Sequence, residues 1–135
     1  MRIDYILIQT FCHVTEDEKK VLKAVERLYP SFSKSTAKGY FKNPIHVFEA
    51  RIKRKKETES VISLLQENLG SELKNGLSRR VDKKGNIYIR LDKQELYRGR
   101  YVLKDSGEVK ITVHMQFHPS EGKDAIDHAE EVFGN

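Results

Sequence analysis

Residues 45–70, IHVFEARIKRKKETESVISLLQENLG, change their hydrophobic period partway along. From Ile45 to Ile52 the chain alternates, with Phe48, Ala50 and Ile52 set against Val47, Glu49 and Arg51, the pattern of a half-exposed strand. From about Arg54 the period becomes helical. Val61, Ile62, Leu64, Leu65 and Leu69 form one stripe, and Gly70 stands where a C-terminal stop is expected. The junction carries Arg51, Lys53, Arg54, Lys55 and Lys56, and no acid before Glu57. Exposed cations at the positive end of a helix are unfavourable by about 0.3 to 1 kcal/mol each. A phosphate there would meet both free N–H groups and Lys/Arg, which turns an unfavourable placement into a site. The plainer alternative begins the helix at Glu57 and leaves the basic run as solvated loop.

Toward the N-terminus, residues 3–14 (IDYILIQTFCHV) read as a strand that is apolar on both faces, which suits a central strand or one covered on both sides. Thr15-Glu16-Asp17-Glu18 has the form of a capping box, and Val21, Leu22, Val25, Leu28 and Tyr29 continue at helical spacing until Pro30. This predicts a helix over 16–29. Residues 31–38 are weakly patterned. Gly39-Tyr40-Phe41 then leads to Asn43-Pro44, a turn dipeptide that predicts a hairpin into the strand at 45–52.

Toward the C-terminus, residues 71–80 have room for a short helix, and Asp82-Lys83-Lys84-Gly85-Asn86 is a turn. It feeds a strand over 87–91 in which Ile87, Ile89 and Leu91 oppose Tyr88, Arg90 and Asp92. Residues 93–108 form a connector with room for a helical turn. Val109, Ile111, Val113, Met115 and Phe117 alternate with Lys110, Thr112, His114, Gln116 and His118, the cleanest strand pattern in the chain. A last helix carries Ala125, Ile126, Ala129, Val132 and Phe133. The order β-α-β-β-α-β-β-α predicts a single α+β domain over 1–135, two-layered, with a mainly antiparallel sheet and helices on one face. Tyr88, Arg90, Arg51 and Lys53 would project from the open face.

Charge is distributed unevenly. Charged residues make up 33% of the chain, against roughly 25% in an average domain, and the surplus is positive. Residues 51–56 hold five cations and no acid, and residues 79–100, RRVDKKGNIYIRLDKQELYRGR, hold eight cations against three acids, on a chain whose net charge is +5. The second block contributes Arg79, Arg80, Lys83, Lys84, Arg90, Lys93, Arg98 and Arg100, interleaved with Tyr88 and Tyr97. Phosphates require positive charge and unstacked bases require flat apolar faces, so these two blocks are the candidate nucleic-acid contacts. The competing reading makes the basic face a docking surface for an acidic protein.

Other chemistry finds little support. The single cysteine, Cys12, excludes an internal disulfide and a cysteine-built zinc site and suits a reducing compartment, so the cytoplasm is the expected location. The opening residues lack the form of a secretion signal, no stretch approaches the eighteen apolar residues of a membrane span, and no phosphate-loop, dinucleotide or nucleophile-elbow motif is present. No cofactor is expected. His114 and His118, four apart in a strand, do not have helical metal-ligand spacing. With Lys110 they form the one candidate set for acid–base cleavage of RNA, a minor alternative. Apolar residues on both faces of the first strand leave room for a homodimer.

Five segments carry a family resemblance: Thr15-Glu16-Asp17-Glu18, Gly39-Tyr40-Phe41 with Asn43-Pro44-Ile45, Glu49-Ala50-Arg51-Ile52-Lys53, Leu91-Asp92-Lys93-Gln94-Glu95, and Tyr97 with Gly99. Through them the chain resembles, nearly end to end, a family of small archaeal proteins described as RNA-binding and predicted to be an exosome subunit. The resemblance implies an α+β fold similar to ribosomal protein L-five, archaeal cytoplasm, and RNA or RNA-processing proteins as partners. It supplies no contact residues.

Overall fold

Alternation decides the sheet. In a computed structural model describing residues 3–38, 44–116 and 124–133, the strand β1 (Ile3–Cys12) buries Ile6, Ile8, Thr10 and Cys12. Tyr5, Leu7 and Gln9 are partly exposed and Phe11 is exposed, so one face of the strand is covered and the other is open. Of the two readings, the central strand holds, since this strand is the middle one of five, and cover on both sides does not: the apolar residues at odd positions are tolerated at a partly wet surface. Thr10 keeps its buried hydroxyl satisfied by donating to the Glu108 carbonyl at 3.0 Å.

The chain continues through α1 (Glu18–Val25), β2 (Ser33–Lys38), β3 (Pro44–Ile52), α2 (Lys55–Asn75), α3 (Leu77–Arg80), β4 (Asn86–Leu91), α4 (Lys93–Tyr97), β5 (Val109–Met115) and α5 (Ala125–Phe133). The five strands form one antiparallel sheet in the order β2-β3-β1-β5-β4, so the α+β class read from periodicity holds. The described residues group into two compact units. One comprises residues up to 7, 51–89 and from 112 onward; the other comprises 8–50 and 90–111.

In the first unit, the stripe Val61, Ile62, Leu65, Leu69 and Leu73 of α2 is buried, as are Ile52, Ile87, Ile89, Val113 and Met115 on the strands. Helices α3 and α5 pack on α2, and Gln66 donates to the Val132 carbonyl at 2.7 Å. Gly70 does not end α2. The helix runs on to Asn75, with Gly76 as its C-cap, because burial of Leu73 and Leu77 outweighs the propensity cost of a glycine, about 1 kcal/mol.

In the second unit, α1 packs on α4, and Cys12, Val21 and Phe48 form a cluster flanked by Leu22 and Phe32. The α1 cap is Asp17, whose carboxylate accepts from the Lys19 N–H at 2.9 Å. The cap thus lies two residues beyond the predicted Thr15, and Lys20 stands where a box would need Glu or Gln. Glu18 pairs with Lys34 instead, at 2.6 Å. The helix also ends earlier than predicted, at Val25, and residues 26–28 continue as a turn in which the Leu28 N–H donates to the Val25 carbonyl. The weakly patterned residues 33–38 are a strand, paired antiparallel with β3 in the register Ser33 to Glu49 and Thr36 to His46. Its side chains Ser33 to Thr36 are exposed, so no apolar alternation marks it. The turn expected at 39–43, Phe117 and His118 lie outside the described residues.

Candidate nucleic-acid interface

The strand-to-helix junction is built as the sequence implies, with one addition. Arg54 is the N-cap of α2, in extended conformation, and offers no side-chain hydrogen bond to the first turn. Lys53, Arg54, Lys55 and Lys56 are all exposed, and Glu57 is the sole acid of that turn. Helix N-termini leave up to four N–H groups without intrahelical partners. Here these groups face a run of cations and no capping acid, a local field suited to an anion. The helix begins at Lys55, not at Glu57, so Lys55 and Lys56 belong to the helix itself.

The turn that precedes β4 is held by Asp82. One of its carboxylate oxygens accepts from the Lys84 and Asn86 N–H groups at 3.0 and 2.9 Å; the other accepts from Asn86 Nδ2 at 3.1 Å and from the Tyr88 hydroxyl at 2.8 Å. Partial burial alone would raise the Asp82 pKa, but these donors outweigh it and hold the carboxyl below its ordinary range. The same bond pushes the Tyr88 phenol up and fixes its ring, which stays 46% exposed. Lys83 and Lys84 stand exposed on the turn; Arg79 is exposed on α3, while Arg80 is half-buried with its Nε enclosed.

A row of planar groups crosses the sheet from this turn. Asn86 is hydrogen-bonded through Oδ1 to His114 Nδ1. The His114 ring stacks on Tyr5, with centroids 4.9 Å apart and planes 25° apart, and the Arg51 guanidinium lies 4.5 Å from the Tyr5 ring centre. Asp4 adds a carboxylate 3.9 Å from His114 Nε2. The row runs β3, β1, β5, β4, following the order of the sheet. Sequence reasoning proposed Arg51 and Tyr88 but missed Tyr5, Asn86 and the stacking role of His114. Their alternation places them on one face, but only strand order makes them neighbours.

The remaining candidates lie in the other unit. Arg90 donates through Nε to the Gly107 carbonyl at 2.8 Å. Arg98 and Arg100 are exposed and face Glu95 at 3.2 and 3.8 Å. Tyr97 is half-buried; the ammonium groups of Lys20 and Lys23 lie about 6 Å from its ring centre, and Arg27 donates to its carbonyl at 3.3 Å. The cations of α1 were missed because Glu16, Asp17, Glu18 and Glu26 neutralise that segment in sequence. A cavity of about 300 Å³ lies here, lined by Glu16, Asp17, Lys20, Lys93, Tyr97 and Arg98 among others.

Lys93 is the exception among the predicted cations. It is 6% exposed, donates to the Phe11 carbonyl at 2.9 Å, and lies 2.8 Å from a Glu16 carboxylate oxygen and 3.5 Å from one of Glu108. Its charge is spent inside the protein, so it is left out of the interface. His13, Glu16 and Glu108 bring potential ligand atoms within 4.8 Å of one another. The Lys93 ammonium already sits against both carboxylates, where a metal ion would have to sit. Partial burial alone would raise the Glu108 pKa, but its bond to His13 at 2.9 Å and the Lys93 charge hold it below the ordinary range.

Family comparison takes in this whole surface. The protein family described as RNA binding matches residues 5–117. The chain belongs to that RNA-binding family. An RNA-binding protein from Pyrococcus abyssi is 37% identical over 133 residues, covering 90% of this chain and 76% of that one. A solved structure from Methanothermobacter thermautotrophicus is similar with TM-score 0.79 and 25% identity, covering 98% of this chain and 99% of that one. One from Sulfolobus solfataricus gives TM-score 0.72 and 26% identity, with 96% and 97% covered. The span that matches the RNA-binding family contains both basic blocks and the planar row from Tyr5 to His114. Among the described residues, no helix is long and apolar enough to cross a membrane.

Proposed function

We propose that this protein binds RNA without cleaving it, holding phosphates through Arg51, Lys53, Arg54, Lys55 and Lys56 and through Arg79, Lys83 and Lys84. The observation that carries this reading is the uncapped start of α2 set within an exposed cation run. Membership of an RNA-binding family supports RNA as the anion. Arg90, Arg98 and Arg100 form a secondary set of contacts, already partly engaged within the protein. The resemblance to predicted exosome subunits supports a further reading in which the protein serves RNA processing in the archaeal cytoplasm, on a fold like that of ribosomal protein L-five. The His114 ring is stacked on Tyr5 and oriented by Asn86, which supports a binding role for it.

Titration of fluorescent RNA at several salt concentrations tests the reading. Each phosphate neutralised on a single strand contributes about −0.7 to the slope of log K against log salt. A steep negative slope, lost when Arg54, Lys55 and Lys56 are reversed to Glu together, is the expected result. A slope near zero would make the basic face a protein-docking surface, and partners that survive nuclease treatment would then identify its use.

A further inference from the structure

We infer that the row Arg51, Tyr5, His114 and Tyr88 is a base-stacking platform, and that it makes the protein a reader of single-stranded, unstacked RNA in preference to duplex. The inference rests on the RNA-binding reading above and adds the form of RNA that the site takes.

Three observations carry it. First, the planar groups are already stacked on one another: guanidinium over phenol at 4.5 Å, phenol against imidazole at 4.9 Å. A base laid on the outer face of exposed Arg51 would extend that stack, since guanidinium planes and aromatic rings both serve as platforms for unstacked bases. Second, the row is held in place. Asn86 binds His114, and Asp82 binds both Asn86 and the Tyr88 hydroxyl, so the rings meet a ligand with little rotamer entropy left to lose. Tyr88 is anchored at its polar tip while nearly half its surface faces solvent. Third, the row crosses four adjacent strands and begins at Arg51, where the exposed cation run Lys53 to Lys56 also begins. A sheet of that width stacks two or three bases of a single strand, with the adjoining cations placed to follow its phosphates.

Duplex RNA would leave this arrangement idle. Its bases are stacked internally, and it offers proteins mainly phosphates and 2′-hydroxyls. The exposed cations would bind it, but the rings would meet no base face.

The test compares single-stranded and duplex RNA of equal length, with 2-aminopurine in the single strand reporting stacking. The wild-type protein is expected to favour the single strand at least tenfold and to quench the probe. Base–aromatic stacking is worth about 1 to 3 kcal/mol per base, so Tyr88→Ala should weaken single-strand binding by roughly 5- to 150-fold. It should leave duplex affinity and the salt slope unchanged. Tyr88→Phe keeps the ring but loses the Asp82 bond that fixes it, and should weaken single-strand binding less than Tyr88→Ala does. Arg51→Lys keeps the charge but loses the plane, and should reduce quenching at constant salt slope. Circular dichroism would confirm that each variant is folded. Equal affinity for both forms, or full single-strand affinity in folded Tyr88→Ala, would overturn the inference while a steep salt slope kept the RNA-binding reading standing. Absence of any salt-sensitive RNA binding would overturn both.

Discussion

The ammonium of Lys93, nearly enclosed, lies 2.8 Å from the carboxylate of Glu16 and ties the start of α4 to the loop that precedes α1. Sequence places Lys93 inside a basic block, yet the structure uses it as an internal clasp. Lys93→Met keeps the stem's apolar packing but leaves the Phe11 carbonyl and the Glu16 carboxylate without this donor. The expected loss is about 2 kcal/mol, in line with an unsatisfied buried acceptor. Urea denaturation measures it, and RNA affinity should stay unchanged. Weakened RNA binding at unchanged stability would return Lys93 to the interface.

At the start of α2, stability and binding should respond in opposite directions. Arg54 occupies the N-cap without capping. Arg54→Asp supplies a cap acceptor and a favourable charge, worth about 1 kcal/mol. It also removes a cation from the proposed phosphate site. Thermal unfolding should shift upward while RNA affinity falls. Gains in both would show that the α2 start does not contact phosphate.

The Asp82 carboxyl sets a pH dependence of known sign. Its folded pKa is depressed, so its contribution is complete above the unfolded value of about 3.9 and is lost as pH falls through the folded value. Glu108, also depressed, behaves likewise below its unfolded value of about 4.3. Urea midpoints should therefore decline on acidification below about pH 4.5. Asp82→Asn should flatten that decline, and an unaltered profile in the variant would assign the acid sensitivity elsewhere.

Two glycines should answer alanine oppositely. Gly70 lies inside α2 and an added methyl would meet nothing within 4 Å, so Gly70→Ala should stabilise by about 0.5 to 1 kcal/mol. Gly99 has φ +87° and would bring a methyl to 3.4 Å from the Arg27 guanidinium. Gly99→Ala should destabilise by about 1 to 2 kcal/mol. Chemical denaturation reads both, and a destabilised Gly70→Ala would contradict the uninterrupted helix.

Local pattern made much of the fold legible. The alternation of Val109 to Met115 and the stripe from Val61 to Leu69 gave their elements the right type, because burial of one face imposes the period on the sequence. The predicted hairpin implied β2, but its bounds were unmarked because its exposed Ser33 to Thr36 side chains face no core that would constrain them. Gly70 misled because a glycine reads as a stop until the burial of Leu73 beyond it is known.

The sequence by itself determined the α+β class, the two concentrations of positive charge and the exposure of the α2 start, since each depends on residues close along the chain. Tertiary structure decided which groups act together. The strand order sets Tyr5 and His114 against each other and brings Arg51 over Tyr5, joining residues 5, 51 and 114. The same folding buried Lys93 against Glu16 and Glu108, removing one cation from the surface that composition alone had assigned to it. The physical reason is range: hydrophobic period and charge density are properties of short segments, whereas stacking and ion pairing depend on side chains that only strand pairing and helix packing bring within a few ångströms.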